Sequence, residues 1–317
     1  MESQVTFDDH KPQELSLYDA VIQGFSATQK YIPPKFFYDK RGSQLFDQIC
    51  NQPEYYLPDV ERKLIHDSID EITDLIGKEC VIIEPGAGNL SKIRLLLDKM
   101  QPEAYVPMDI SSDFLRWAAN NLATDYPWLK IHASCVDFTH SMPLPDTLPN
   151  ESRLIFFPGS SLGNFHKHEA QYFLHMLRQT LLPNGMLLIG VDTKKTPSLL
   201  NAAYNDAAGI TAEFNLNLLQ RIRHELQADC NPNYFDHHAF YNENAGRIEM
   251  HLVSQRQQAV RINDHRFNFE SGETVHTECS YKYAPDEFIQ LAESAGFSLL
   301  KHWLAEDDLF AIYLLSA

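Results

Sequence analysis

The chain has 317 residues, 44% hydrophobic and 22% charged, an ordinary composition for a globular protein long enough to bury a large core. Its 43 acidic side chains against 26 basic ones give a formal net charge of -17, a field that repels polyanions. No Lys/Arg cluster offsets that field, so no nucleic-acid partner is expected.

The first ten residues, Met1 to His10, are polar and acidic, unlike a signal peptide, and no apolar run reaches the roughly 18 residues of a membrane span. Cys50, Cys80, Cys135, Cys230 and Cys279 are scattered and lack Cys-x-x-Cys spacing, so reduced thiols and a cytoplasmic location are expected, with no membrane partner. Val81-Ile82-Ile83 is a β-branched run ending in Glu84-Pro85-Gly86-Ala87-Gly88. Ser91 to Met100 carries Ile93, Leu96, Leu97 and Met100 at helical spacing. Ala104 to Met108 reads as a second strand leading to Asp109, with Ser111 or Ser112 capping a helix over Asp113 to Leu122. Lys130 to Val136 is a third strand ending at Asp137, and Leu154 to Phe157 a fourth ending at Pro158-Gly159. A helix over Glu169 to Leu182 and a strand over Met186 to Val191, after the Asn184-Gly185 turn, continue the rhythm.

Strand alternating with helix predicts parallel βαβ units in a doubly wound sheet covered on both faces. The rhythm breaks after Asp192. Leu199 to Gln227 reads as one long helical region, while Arg247 to Val260 and Arg266 to Tyr283 alternate like antiparallel strands. A helix over Asp286 to Ala295 and strands near Phe297 to Trp303 and Leu309 to Leu315 then close the chain. The expected organisation is an α/β domain over 61–194 and 284–317, interrupted by a second unit built from 1–60 and 195–283. A cleft between two such units commonly takes the substrate.

Glycines after a first strand let the backbone turn sharply and approach a ligand closely. A dinucleotide fingerprint wants Gly-x-Gly-x-x-Gly, but Ser91 stands at the third position, which counts against a nicotinamide dehydrogenase. A methyl donor carries no pyrophosphate and can dispense with that glycine. Gly86 and Gly88, with Asp109 placed to accept both ribose hydroxyls and Asp137-Phe138 placed to meet the adenine, point to S-adenosylmethionine. Each aspartate taken singly reads equally well as a helix or turn cap. Three consecutive strand ends favour the ligand.

Further segments resemble the histidine-specific Nα-methyltransferases of ergothioneine biosynthesis. They are Pro33 to Asp39, Gly42 to Phe46, Pro53-Glu54-Tyr55-Tyr56, Gly159 to Asn164, Tyr204 to Gly209, Arg247-Ile248-Glu249-Met250 and Thr277 to Tyr283, in the family's order from about residue 14 to the end. Pro85 and Asn89 depart from the family's usual glycine loop. The resemblance implies a class I, Rossmann-like methyltransferase with a seven-stranded, mostly parallel sheet and a second α+β substrate domain, expected to be a monomer. The implied reaction is three successive methyl transfers from S-adenosylmethionine to the α-amino group of L-histidine, through its mono- and dimethyl forms, giving hercynine. Tyr55, Gly86, Lys92, Asp109, Asp137 and Phe138 match cofactor positions, Tyr55 also facing the amine. Gly159, Asn164 and Tyr204 match positions holding the amino-acid backbone. Met250, Glu278 and Ser280 match the imidazole pocket, with Tyr38, Phe46 and Phe214 as its aromatic walls. Tyr55 and Asn164 are the candidates to orient the amine.

These residues suit the chemistry. Methyl transfer needs a neutral amine lone pair held in line with the methyl, and proximity supplies much of the acceleration without metal. Glu278 can accept an imidazole N–H and Ser280 bond the ring's other side; period-two spacing puts both on one strand face. Outside the resemblance, Glu278 reads as an exposed strand carboxylate, Met250 as core filling and the three tyrosines as packing residues. His166-x-His168 and His237-His238 lack metal-site spacing, and Gly159-Ser160-Ser161-Leu162-Gly163 is not a Gly-x-Ser-x-Gly hydrolase elbow. The alternatives are a related enzyme acting on a prenylated tryptophan or a biogenic amine, and a non-catalytic nucleotide-binding regulator.

Overall fold

In the computed structural model, residues 4–10, 16–149 and 152–317 are described. The chain opens with β1 (Val5–Asp9), α1 (Leu17–Ser26), β2 (Lys30–Tyr31), α2 (Lys40–Ile49) and α3 (Leu57–Ile76). The βα succession follows: β3 (Val81–Pro85), α4 (Arg94–Met100), β4 (Ala104–Asp109), α5 (Ser112–Asp125), β5 (Lys130–Cys135), β6 (Arg153–Phe157), α6 (Lys167–Thr180) and β7 (Met186–Asp192). Next come α7 (Pro197–Ala203), α8 (Ile210–Glu225), β8 (Phe235–Asn242), β9 (Arg247–Ser254), β10 (Gln258–Ile262), β11 (His265–Phe269) and β12 (Thr274–Tyr281). The last elements are α9 (Pro285–Ser294), β13 (Ser298–Leu304) and β14 (Phe310–Ser316). Two compact units result: Met1–Gln13 with Leu57–Thr193 and Tyr283–Ala317, and Glu14–Tyr56 with Lys194–Lys282.

The first unit is built on an eight-stranded sheet of order β1-β5-β4-β3-β6-β7-β14-β13, parallel except where β14 runs against β7 and β13. All five residues of β3 are buried, as a strand covered on both faces requires. Strand order reverses between β3 and β6, and ligands of such sheets sit outside the carboxyl ends of the strands at that point. The Gly86 loop, Asp109, Asp137, Gly159 and Asp192 all fall at those carboxyl ends. The eighth strand differs from the expected seven. Val5–Asp9 pairs in parallel with β5, Val5 opposite Ile131 and Asp9 opposite Cys135, with the Arg116 guanidinium 3.7 Å from the Phe7 ring centroid. These residues therefore lie in the first unit rather than in the expected 1–60 substrate domain. Five residues with a mixed polar pattern at a sheet edge give no periodicity strong enough to read. Among the described residues no helix is long and apolar enough to cross a membrane.

The second unit holds a four-stranded sheet, β2-β12-β9-β8, and the β10–β11 hairpin. Its core gathers Phe25, Phe37, Phe214, Leu218, Ile222, Met250, Leu252 and Val275. The single helix expected over 199–227 is two. Gly209 at φ +75° ends the link between them, and the Asp206 carboxylate accepts from the amides of Ile210 (2.7 Å) and Thr211 (2.8 Å) at the start of α8. Strand β8 was absent from the expected elements; its Asp-His-His centre lacks the apolar alternation that marks a strand.

Candidate active site

In the first unit, β3 delivers the glycine loop. Gly86 (φ +70°) and Gly88 (φ +55°) take left-handed backbone that strongly disfavours side chains, and a Cβ on Gly86 would meet the Phe138 ring at 3.3 Å. The loop is tied to the next strand end: Asp109 accepts from the Gly88 amide (3.0 Å) through one oxygen and from the Ser111 amide (3.0 Å) through the other. Burial pushes the Asp109 carboxyl up, opposed by the amides of Ser111, Gly88 and Ile110. It is thus a cap, as the local reading allowed, yet each oxygen retains acceptor capacity. Asp137 accepts from the Thr139 amide (3.1 Å) and hydroxyl (2.5 Å), and Phe138 lies against Phe173, ring centroids 6.0 Å apart. Glycines that leave room, a carboxylate able to take hydroxyl protons and an aromatic ring beside the loop fit a nucleoside-bearing methyl donor.

Lys92, expected on the cofactor, is bonded to Glu61 (2.7 Å), whose other oxygen accepts from the Gly159 amide (2.7 Å). Glu61, 2% exposed, escaped the sequence reading because it lies far along the chain from both partners. Glu84 is buried and receives the Tyr105 hydroxyl at 2.6 Å; burial pushes its carboxyl up to about 8. Asn164 ends a short 3₁₀ turn, Ser161–Asn164, that follows β6.

The second unit brings together the other expected residues. Tyr38, Phe46 and Phe214 form an aromatic cluster with centroid separations of 5.7, 5.9 and 6.1 Å. Tyr55 meets Tyr204 edge-on at 5.9 Å. On the sheet, Glu278 of β12 stands opposite Met250 of β9, and Ser280 opposite Ile248. Ser280 Oγ accepts from the Tyr204 hydroxyl at 3.0 Å. Burial pushes the Glu278 carboxyl up to about 7, with Lys282 pulling the other way. Burial also drives the Tyr55 phenol well above 10, aided by Tyr204, Cys50, Glu278 and Tyr38, so it keeps its proton at neutral pH.

A β-bulge at Thr277 sets which way β12 faces. His276 pairs with His251 and Glu278 with Met250, so the extra residue falls between them. Two side chains, Asn215 and His276, pin it, with the Met250 carbonyl as a third contact. Thr277 Oγ1 donates to Asn215 Oδ1 of α8 (2.8 Å) and is within 3.1 Å of the Met250 carbonyl, and His276 Nε2 lies 2.9 Å from the Glu278 carbonyl. Without the bulge, period two would put His276 on the Glu278 face. The opposite sheet face carries Arg247, Glu249 and His251 in a chain, Arg247 at 2.7 Å and His251 at 3.0 Å from the Glu249 carboxylate. Burial raises the Glu249 carboxyl, but these partners outweigh it and hold it at about 2. Glu249, His251 and His276 bring ligand atoms within 4.8 Å of one another, yet Arg247 already neutralises the carboxylate. Lys282, not singled out from sequence, is 1% exposed and donates to Ser280 Oγ (3.0 Å) and Tyr204 Oη (3.2 Å). Its period-two relation to Glu278 and Ser280 was the available signal, masked because strand-end lysines are usually solvated.

The switch-point sheet, glycine loop and strand-end carboxylate define an S-adenosylmethionine-dependent methyltransferase. A Clostridium acetobutylicum S-adenosylmethionine-dependent methyltransferase shares this fold, with TM-score 0.50, 12% identity and coverage of 87% of this chain and 97% of that one. The chain is 37% identical over 290 residues to a histidine N-alpha-methyltransferase of Mycolicibacterium smegmatis, covering 89% of each. It is 34% identical over 307 residues to a histidine N-alpha-methyltransferase of Mycobacterium tuberculosis, covering 95% of this chain and 94% of that one. Residues 17–317 match the family described as histidine-specific methyltransferase, SAM-dependent. The chain belongs to that family.

Proposed function

We propose that the protein methylates the α-amino group of L-histidine three times, giving hercynine, the first step of ergothioneine biosynthesis. The observation that carries the substrate choice is that Glu278 stands opposite Met250 on neighbouring strands of the second unit, and Met250 shares one core with the Tyr38–Phe46–Phe214 rings. A flat apolar ring with two polar nitrogens matches an aromatic wall with a carboxyl and a hydroxyl.

When bound, S-adenosylmethionine supplies the methyl group on a sulfonium centre. Asp109 would accept the ribose hydroxyls, Gly86 and Gly88 leave room for the donor, and Asp137 and Phe138 face the adenine. Lys92 acts through Glu61, which fixes the Gly159 amide. By the family resemblance, Gly159 and Asn164 of the first unit and Tyr204 of the second are the residues assigned to the amino-acid backbone. Glu278 accepts an imidazole N–H, and a charged ring draws its carboxyl down from about 7 to the ionised form. Tyr55 stays protonated at neutral pH, so it orients the amine by hydrogen bonding and is not the base that takes the ammonium proton. The amine loses that proton to solvent before each transfer. Purified protein given L-histidine and S-adenosylmethionine should yield species heavier by one, two and three methyl groups in mass spectra. Turnover of tryptophan or tyramine without any mass gain on histidine would overturn the reading.

A further inference from the structure

We infer that Lys195 is a positioning residue for the methyl transfer: by holding Tyr56 it fixes the neighbouring Tyr55 where the substrate amine donates to its phenol. The inference rests on the proposed histidine reading and deepens it.

Tyr55 lies in the connection between α2 and α3, in neither helix nor strand. Its amide donates to the Gln52 carbonyl at 3.1 Å, a turn that sets the path of the backbone but not the direction of the ring. A functional side chain on irregular backbone keeps its geometry only if neighbouring groups hold it. Residues 54 to 56 are held one after another. The Glu54 carboxylate accepts from the Ala207 amide at 3.1 Å, the Tyr55 ring meets the Tyr204 ring edge-on at 5.9 Å, and the Tyr56 hydroxyl accepts from the Lys195 ammonium at 2.8 Å.

All of these partners belong to one stretch of the second unit. Lys195 precedes α7, Tyr204 follows its last residue, and Ala207 lies just beyond. Helix α7 is in turn tied to β8. Asn201 Oδ1 accepts from the Tyr241 amide at 2.6 Å, and Asn205 Nδ2 donates to the Ala239 carbonyl at 3.0 Å. The grip on residues 54 to 56 therefore has its base on the sheet that carries Glu278. Of the two polar ties, the Glu54 bond is exposed to competing water. The Lys195 bond is partly buried and assisted by a full charge, which makes it the stronger.

The chemistry of the amine says which steps depend on this support. Tyr55 keeps its proton, and its oxygen still has a lone pair to accept an amine N–H. A nitrogen tethered through its N–H holds its own lone pair in a fixed direction, as in-line attack on the methyl requires. The neutral primary and secondary amines carry N–H groups. Nα,Nα-dimethylhistidine, once deprotonated, carries none. The Tyr55 tether thus serves the first two transfers and not the third, and the support from Lys195 follows the same division.

The test measures single-turnover methylation of L-histidine and of Nα,Nα-dimethylhistidine by the full-length protein with saturating S-adenosylmethionine. Lys195→Met and Tyr56→Phe remove the same bond from its two ends. Each should slow the first transfer about 10- to 100-fold and the third less than about threefold. The double variant should be no slower than the slower single one. Affinities for L-histidine and S-adenosylhomocysteine, by calorimetry, should stay within about threefold of wild type, so the loss falls on the rate rather than on binding. If Lys195→Met binds no S-adenosylhomocysteine, Tyr56→Phe, which keeps the ring and its packing, decides alone. Equal slowing of the first and third transfers, a loss of affinity with the first rate unchanged, or no change at all would overturn the inference. Wild-type protein that leaves histidine unmethylated would instead sink the histidine reading, a separate and recognisable outcome.

Discussion

Replacing Glu278 by glutamine should weaken histidine binding and, above neutral pH, stabilise the ligand-free protein. Burial lifts the Glu278 carboxyl from 4.5 to about 7. Because the folded-state value is above that of the unfolded chain, the associated stability is whole below about pH 4.5 and lost as pH rises through about 7. That gap, at 1.36 kcal/mol per pH unit, is worth at most about 3 kcal/mol. A carboxamide of the same shape does not titrate. Glu278→Gln should therefore exceed wild type in urea-denaturation stability by up to about 3 kcal/mol at pH 8 and show no such gain at pH 4.5. The same change replaces an anionic acceptor for a charged imidazole by a neutral carbonyl, a loss of up to about 3 kcal/mol, so KM for histidine should rise by up to roughly a hundredfold with little change in cofactor affinity. A variant that is less stable than wild type at pH 8, or one that raises both substrate requirements equally, would refute the reasoning.

Three further predictions concern the supports of the site. Asp109→Ala should weaken cofactor binding by about 10- to 100-fold in a calorimetric titration, since the loop amide of Gly88 loses its acceptor together with the ribose hydroxyls. Thr277→Val should cost about 1–3 kcal/mol in denaturant unfolding, by stranding Asn215 Oδ1 beside the bulge, and should raise histidine KM by letting Glu278 drift. Glu249 is held at about 2, below its ordinary value, so its contribution is present above about pH 4.5 and lost as pH falls through about 2. Glu249→Gln should accordingly destabilise the protein by about 3 kcal/mol at pH 7, with the difference shrinking in acid.

The parts of the fold legible in sequence were those carried by strong periodicity. The apolar runs at Val81, Ala104, Leu154 and Met186 gave the parallel strands, and their carboxyl ends gave the glycine loop and Asp109. Elements resting on contacts across the chain were not legible. The edge strand Val5–Asp9 depends on its pairing to β5, and β8 on its pairing to β9. The break at Asp206 depends on one side chain turning back onto two amides, which a helical-period pattern does not reveal. Glu278 and Ser280 were correctly placed on one strand face, but the bulge at Thr277 that directs them was hidden. Its pins, Asn215 and His276, come from a helix and from the neighbouring residue of the same strand. Glu61 was unreadable for the same reason: its partners Lys92 and Gly159 are distant in sequence and adjacent in space.

The central claim is that the methyl acceptor is the α-amino group of histidine. The most direct measurement gives the wild-type protein methyl-labelled S-adenosylmethionine and an equimolar mixture of L-histidine, L-tryptophan and histamine, and locates the label by tandem mass spectrometry. The account predicts label on the α-nitrogen of histidine, accumulating to three methyl groups, with the other two acceptors nearly unlabelled. Label on an imidazole nitrogen, or predominantly on tryptophan or histamine, would contradict it.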